Sequence, residues 1–345
     1  MKIILVLAAI IITLNTSAQE AKHLTNITQL TFGGDNAEAY FNNKGNKISF
    51  QSNYKKWGNN CDQIHIMNLN DKVDSTKIPT RISNGEGRTT CSYYMPDNKH
   101  ILFASTFKSG KDCPPSPPFN PKKYLWAIYN TFDIYVADEN GKITQQLTND
   151  TFYSAEATIS PKGDKIVYTS TAGGDLDLWT MDIDGKNKHQ ITHELGYDGG
   201  AFFSPDGKQL VFRASRPKGD SAIVNYNNLL KQNLVAPTEM EIFVCNVDGS
   251  NLHQVTHLGK ANWAPYFTHD GKKIIFSSNH VGKKGYDFHL WMINVDGTGL
   301  EQITTESYFN AFPMFSPDGK KLIFSSNRNN HGTHDTNLFI ADWKE

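Results

Sequence analysis

Apolar and polar residues alternate along most of the chain in runs of five or six, broken at regular intervals by Gly, Asp, Asn and Pro. A period of two over such a run predicts a half-buried β-strand, and turn residues between two runs predict a hairpin. The clearest case is "FSPDGKKLIFSSN" at 315–327, with near-copies "FSPDGKQLVFRAS" at 203–215 and "FTHDGKKIIFSSN" at 267–279. In Ser-Pro-Asp-Gly, proline presets φ for the first central turn position. Aspartate suits the second, and glycine supplies the left-handed residue after it. Three more segments fit the frame: 40–53, 93–106 and 158–171. In the second of these Asn98 stands where the others carry glycine, and asparagine tolerates the same conformation.

A second hairpin follows each first one. "LWTMDIDGKNKHQITH" (178–193), "IFVCNVDGSNLHQVTH" (242–257) and "LWMINVDGTGLEQITT" (290–305) share an Asp-Gly turn; 134–148 uses Asn-Gly, and 64–83 is a longer version. Each unit therefore supplies four antiparallel strands, A to D. The last unit ends one strand short at "LFIADWKE" (338–345), and "LTNITQLT" (24–31) has the character of the missing strand. One four-stranded sheet buries too little to stand alone, whereas six stacked radially cover each other's faces. The expected fold is all-β: a six-bladed β-propeller over 19–345, closed by the N-terminal strand completing the last blade.

Composition narrows the function classes. Lys plus Arg total 34 and Asp plus Glu 35, a balance that excludes nucleic acid as the main partner. Twenty Phe and 14 Tyr suit strands. Residues 1–18 read as a cleaved export signal: Lys2, the apolar run "IILVLAAIIITL" (3–14) and small residues at 16–18. No other stretch reaches membrane length. A periplasmic or secreted monomer is expected.

Strand A starts at one mouth of the disc, the top. The short, similar hairpin turns then fall at the bottom, and the variable loops at the top. Two top loops are long insertions, 107–130 with Trp126 and 216–239 with a possible amphipathic helix; they are expected to wall a ligand cleft. Aligned on the strand-A phenylalanine, polar residues stand five places before it, among them Asp198, Asn262 and Asn310. Three places before it come Glu38, Cys91, Glu156, Gly200, Ala264 and Phe312. One step beyond the polar set come Arg88, Tyr153, Tyr197 and Phe309, and Trp263 lies beside Asn262. Aromatic faces with amides and carboxylates suit a sugar, a peptide terminus or a partner's loop.

An exported chain permits disulfides. Cys91 and Cys113 both fall at the top of blade 2 and are expected to pair, with Cys61 a competitor for either; Cys245 occupies an apolar column and is expected as a buried thiol. His280, His289, His331 and His334 lie in or beside neighbouring top loops, where three could meet around a metal. The acidic stretches lack the closing glutamate of a calcium loop, and no nucleophile elbow exists. No cofactor is expected.

The repeat "FSPDGKKLIFSSN…LFIAD" resembles that of the TolB-type propellers, over roughly 24–345. The resemblance implies the fold and not one function, since propellers host binding proteins and enzymes alike. The Tol protein carries an α/β domain ahead of its propeller. Only a few residues separate the signal from the first strand here, which argues against a place in the Tol assembly. The expected function is a non-catalytic exported binding propeller that holds a protein, peptide or glycan on its top face. The alternative is a carbohydrate-active enzyme, because oligogalacturonate lyases resemble this repeat and use a histidine-bound metal.

Overall fold

A computed structural model describes residues 19–117 and 124–345; the export signal expected over 1–18 lies outside them. Six four-stranded antiparallel sheets form the blades. Their innermost strands are Asn36–Phe41, Thr89–Tyr94, Ser154–Ile159, Asp198–Phe203, Asn262–Phe267 and Asn310–Phe315. The sixth sheet is completed by Leu24–Gln29, which pairs antiparallel with Asn337–Trp343. The ring therefore closes as the sequence predicts.

The repeated residues have identifiable work. One aromatic position of strand B, Phe50, Phe103, Tyr168, Phe212, Phe276 and Phe324, is buried between neighbouring sheets in every blade. The threonine of "QIT" or "QLT" accepts a backbone N–H near the start of strand C: Ile134 N to Thr148, Leu178 N to Thr192 and Leu290 N to Thr304, at 2.8–2.9 Å. In the last blade Thr31 of the N-terminal segment does the same for Leu338, at 2.9 Å. The residues just before that strand add to the closure. Glu20 sits 2.8 Å from Arg328 and accepts the amides of Thr305 and Glu306. His23 stacks on Trp343.

The bottom turns also follow their sequence. Gly45, Gly163, Gly207, Gly271 and Gly319 have φ between +67° and +72°, and Asn98 has +58° in the same place. In the last turn the Ser316 hydroxyl donates to Asp318, which accepts the Lys320 amide.

The two insertions meet over the top. Trp126–Ala127 of the first pairs with Leu234–Val235 of the second as a two-stranded ribbon. The helix expected in the second spans Asp220–Leu230 and buries Tyr226, whose hydroxyl donates to Asp175. The expected Cys91–Cys113 disulfide is not formed. Cys113 pairs with Cys61, 5.9 Å apart at Cα, and Cys91 is free. The reason is local: Cys91 sits at a strand bulge that turns its side chain toward the channel, while Cys61 lies in the adjoining top loop of blade 1. The bridge thus ties the first insertion to a neighbouring blade. Cys245 is a fully buried thiol, as expected. Among the described residues no helix is long and apolar enough to cross a membrane.

Candidate ligand site at the top mouth

Each innermost strand carries a bulge at one and the same place. In blade 1 the pairing steps from Ala37–Gln51 to Tyr40–Ser49, leaving one extra residue. The register shifts likewise in the other five blades. The third residue of each strand is Glu38, Cys91, Glu156, Gly200, Ala264 or Phe312, and all six have φ between +48° and +60°. A left-handed conformation is unfavourable for any residue but glycine. Five blades nonetheless hold it with a side chain, and bulges of this kind re-aim a side chain. All six residues line one cavity of about 340 Å³ at the top mouth.

Rings packed at tilted and edge-on angles stop the channel below. Tyr40 lies 5.7 Å from Tyr93 and 5.5 Å from Phe202, and Phe202 lies 5.1 Å from Tyr266. The cavity is therefore blind. Its upper walls are Trp126 from the first insertion, Val235 from the second, and Tyr153, Tyr197 and Trp263 from the blades. Trp126 and Trp263 are 5.3 Å apart, and the Trp263 indole N–H donates to the Pro237 carbonyl. The second insertion is thereby pinned to blade 5.

The polar floor is asymmetric. Glu156 accepts four hydrogen bonds: from Tyr197 (2.5 Å), Arg213 (2.7 Å), Thr169 (2.9 Å) and the Gly200 amide (2.7 Å). Arg213 also donates to the Tyr197 hydroxyl and lies over the faces of Trp126 and Tyr197. Burial works against its charge, but Glu156 and Tyr197 more than offset this and hold its pKa above the ordinary value. The "DGG" of blade 4 makes room for this group. A Cβ on Gly200 would lie 1.8 Å from an Arg213 nitrogen, and one on Gly199 would lie 2.4 Å from a Glu156 oxygen.

Glu38 stands at the matching position of blade 1 without such partners. It accepts a hydrogen bond from Tyr40 at 3.3 Å, with the Cys91 thiol beside it. Burial, reinforced by the charge of Glu156, pushes its carboxyl up to about 7 despite those two donors and Arg213. Burial and the neighbouring carboxylates push the Cys91 thiol well above its usual range, so it is a poor nucleophile. At the rim Arg88 lies 3.5 Å from Asp62.

Seven sequence-predicted residues thus line the cavity: Glu38, Arg88, Trp126, Tyr153, Glu156, Tyr197 and Trp263. Others do not. Asp198 is buried and bound by Arg216. Asn262 donates to the carbonyls of Met240 and Gly259. Asn310 accepts from Ser326 and Arg328, and Phe309 packs edge-on against Phe288. These four build the blade seams. The histidines are not brought together. His280 packs on Trp291, His289 lies 3.5 Å from Asp287, and His331 and His334 are exposed. Among the described residues no three His, Cys, Asp or Glu side chains are placed to hold a metal. Sequence reading missed Arg213 and Tyr40. Arg213 had a signal, because its strand-B column otherwise holds Gln51, Ala104, Thr169, Ser277 and Ser325.

No family model and no curated protein matches the sequence. Solved structures do match in fold. A structure from Agrobacterium tumefaciens described as a TolB is 18% identical with a TM-score of 0.57, covering 90% of this chain and 91% of that one. TolB from Acinetobacter baumannii is 17% identical with a TM-score of 0.54, covering 91% of this chain and 64% of its own length. An oligogalacturonate lyase from Vibrio parahaemolyticus is 12% identical with a TM-score of 0.52, covering 92% and 93%. The architecture is that of the TolB-type six-bladed propeller.

Proposed function

We propose that this chain is an exported, non-catalytic binding propeller whose top mouth holds the end of a protein, peptide or glycan ligand. The observation that carries the reading is the blind, aromatic-walled cavity of about 340 Å³ roofed by two insertions that pair with each other. Concave sites with apolar walls and a few convergent polar groups are where ligands bind. The Cys91 thiol is raised and Glu156 is saturated by hydrogen bonds, and among the described residues the four histidines of the lyase-like alternative are not brought together.

The test is a thermal-shift screen of short peptides and oligosaccharides on the intact protein and on Trp126→Ala. A ligand should raise the melting temperature of the first and not of the second. Binding indifferent to Trp126, or turnover of oligogalacturonides by the purified protein, overturns the reading. Export is checked by the amino terminus of the mature protein, expected near Gln19.

A further inference from the structure

Three carboxylates line the cavity: Asp62 lies beside Arg88 at the rim, while Glu38 and Glu156 occupy equivalent positions in the repeat on the floor, and only one of those two is neutralised. Glu156 is met by Arg213, Tyr197, Thr169 and the Gly200 amide, which use both its oxygens. Glu38 is met by a tyrosine hydroxyl and a thiol, and no Lys or Arg among the described residues lies within ion-pair distance of it. With Arg213 committed to Glu156, the floor is one carboxylate in excess. A half-buried acid with no cationic partner either keeps its proton or takes up a cation.

We propose that the floor takes a primary ammonium group against Glu38, carried at the end of an apolar or aromatic body that fills the space between Trp126, Trp263 and Tyr153. The proposal rests on the binding reading above and names its ligand chemistry. Three considerations select the ammonium. A ligand carboxylate would add a third acid beside two. A neutral sugar would leave the excess acid as it is. Aromatic faces favour cations and apolar bodies; Arg213 already lies over Trp126 and Tyr197, and among the described residues Trp263 and Tyr153 carry no such cation. The blind floor requires the ammonium to be terminal. At about 340 Å³ the cavity lies at the small end of ligand pockets, which run about 300–1,000 Å³.

Binding is measured by calorimetry at pH 8. The probes are 2-phenylethylamine, a Phe-Gly amide dipeptide with a free amino terminus, its N-acetylated form and a set of neutral saccharides. At least one amine probe should bind, the acetylated dipeptide at least tenfold more weakly. Glu38→Gln, which keeps the shape of the side chain, should weaken the amine at least tenfold while melting no lower than the parent. The groups facing Glu38 are Cys91, Tyr40, Glu156 and Arg213, and Glu38 itself is raised to about 7. Binding at pH 7 should therefore release close to half a proton, read from buffers of different ionisation heat. Preference for the dipeptide identifies a peptide terminus, and preference for phenylethylamine a small amine. Equal binding of the acetylated form, or amine binding by Glu38→Gln within twofold of the parent, overturns the proposal. A saccharide that binds through Trp126 while amines do not overturns it and leaves the binding reading standing. No Trp126-dependent binding by any probe sinks both.

Discussion

The two mouths of the disc are made by the same six inner strands and differ in almost every other respect. At the bottom, six turns repeat one design, with a left-handed glycine or asparagine and a serine, threonine, asparagine or aspartate closing the turn. At the top, the equivalent backbone position of each inner strand is also left-handed, but its occupants are Glu, Cys, Glu, Gly, Ala and Phe. Uniform side chains at the bottom serve the strand geometry of every blade alike. Dissimilar side chains at the top share one backbone device and use it to place different groups around one cavity. The repeat fixes where a side chain will point, and departures from the repeat decide what is presented there.

The sharpest test of this contrast sets one ion pair from each face side by side. Arg213 and Glu156 lie 2.7 Å apart with side chains 9% and 11% exposed, while Lys47 and Glu139 at the bottom lie 2.7 Å apart at 29% and 28%. Removing one partner of a buried pair costs about 3–5 kcal/mol, whereas an exposed pair contributes about 0–1 kcal/mol. Arg213→Met should lower chemical-denaturation stability by the first amount and Lys47→Ala by the second. The double change Arg213→Met with Glu156→Gln should recover part of the loss. Equal costs for the two single changes would remove the distinction between the faces.

The disulfide tests the roof. Cys61 and Cys113 enclose a separation of 52 residues, for which loop-closure entropy gives about 4 kcal/mol as an upper figure. Replacing both by Ser should cost about 2–4 kcal/mol and weaken ligand binding, since the first insertion is then held mainly by its ribbon. Replacing Cys91 alone should leave non-reducing peptide maps unchanged. A Cys91–Cys113 peptide in the parent would contradict the structure.

Acidity separates the faces next. Glu38 ionises near 7 in the folded chain against an ordinary 4.5, so the folded state holds its proton more tightly than the unfolded state. Its contribution is present in full below about 4.5 and is lost as pH rises through 7. Asp177, raised to about 7 by burial and by Asp198 and Asp175, acts in the same window and direction. Bottom-turn aspartates such as Asp318, held low by the Ser316 hydroxyl, act oppositely and at lower pH. Glu38→Gln should match the parent at pH 4 and exceed it at pH 8 by up to about 3 kcal/mol, in paired urea melts. A constant difference across that range would show that Glu38 is not the proton-holding group.

How much of this was legible in the residues follows the same division. The fold was, because "SPDG", the Thr of "QIT" and the strand-B aromatic recur where the ring needs them, and Thr31 marked the closing strand. The site was legible in part. Glu38 and Glu156 were found as departures in a repeat column, and Trp126 because an insertion carries it. Asp198, Asn262 and Asn310 were placed at the mouth by counting back from the strand-A phenylalanine. That count crosses the bulge, and one extra residue exchanges the two faces of a strand. No propensity signals a left-handed Glu, Cys, Ala or Phe, so the bulge was not visible. Arg213 was visible as "FRAS" against "FSSN", but its partner Glu156 lies 57 residues away, and nothing local joins them. The cysteine pairing depended on which way Cys91 points, and that too is set by the bulge.

A smaller effect than these top-face ones is expected at the bottom turn, and it bears most directly on whether the faces are independent. Gly319 has φ +69°, and a Cβ there would approach the His269 side chain to 2.9 Å. Gly319→Ala should cost about 1–2 kcal/mol from the left-handed backbone, plus whatever His269 must yield. Gly319→Asn should cost less, because asparagine visits that region and Asn98 already occupies the matching place in blade 2. Neither change touches the inner-strand bulges or the insertions. Both should therefore leave the affinity of any top-face ligand within twofold while shifting the melting temperature in the order Ala below Asn below parent. A top-face affinity that falls with the bottom-turn substitution would mean that the bulge geometry is strained through the length of the inner strand, and that the uniform face helps to set the variable one.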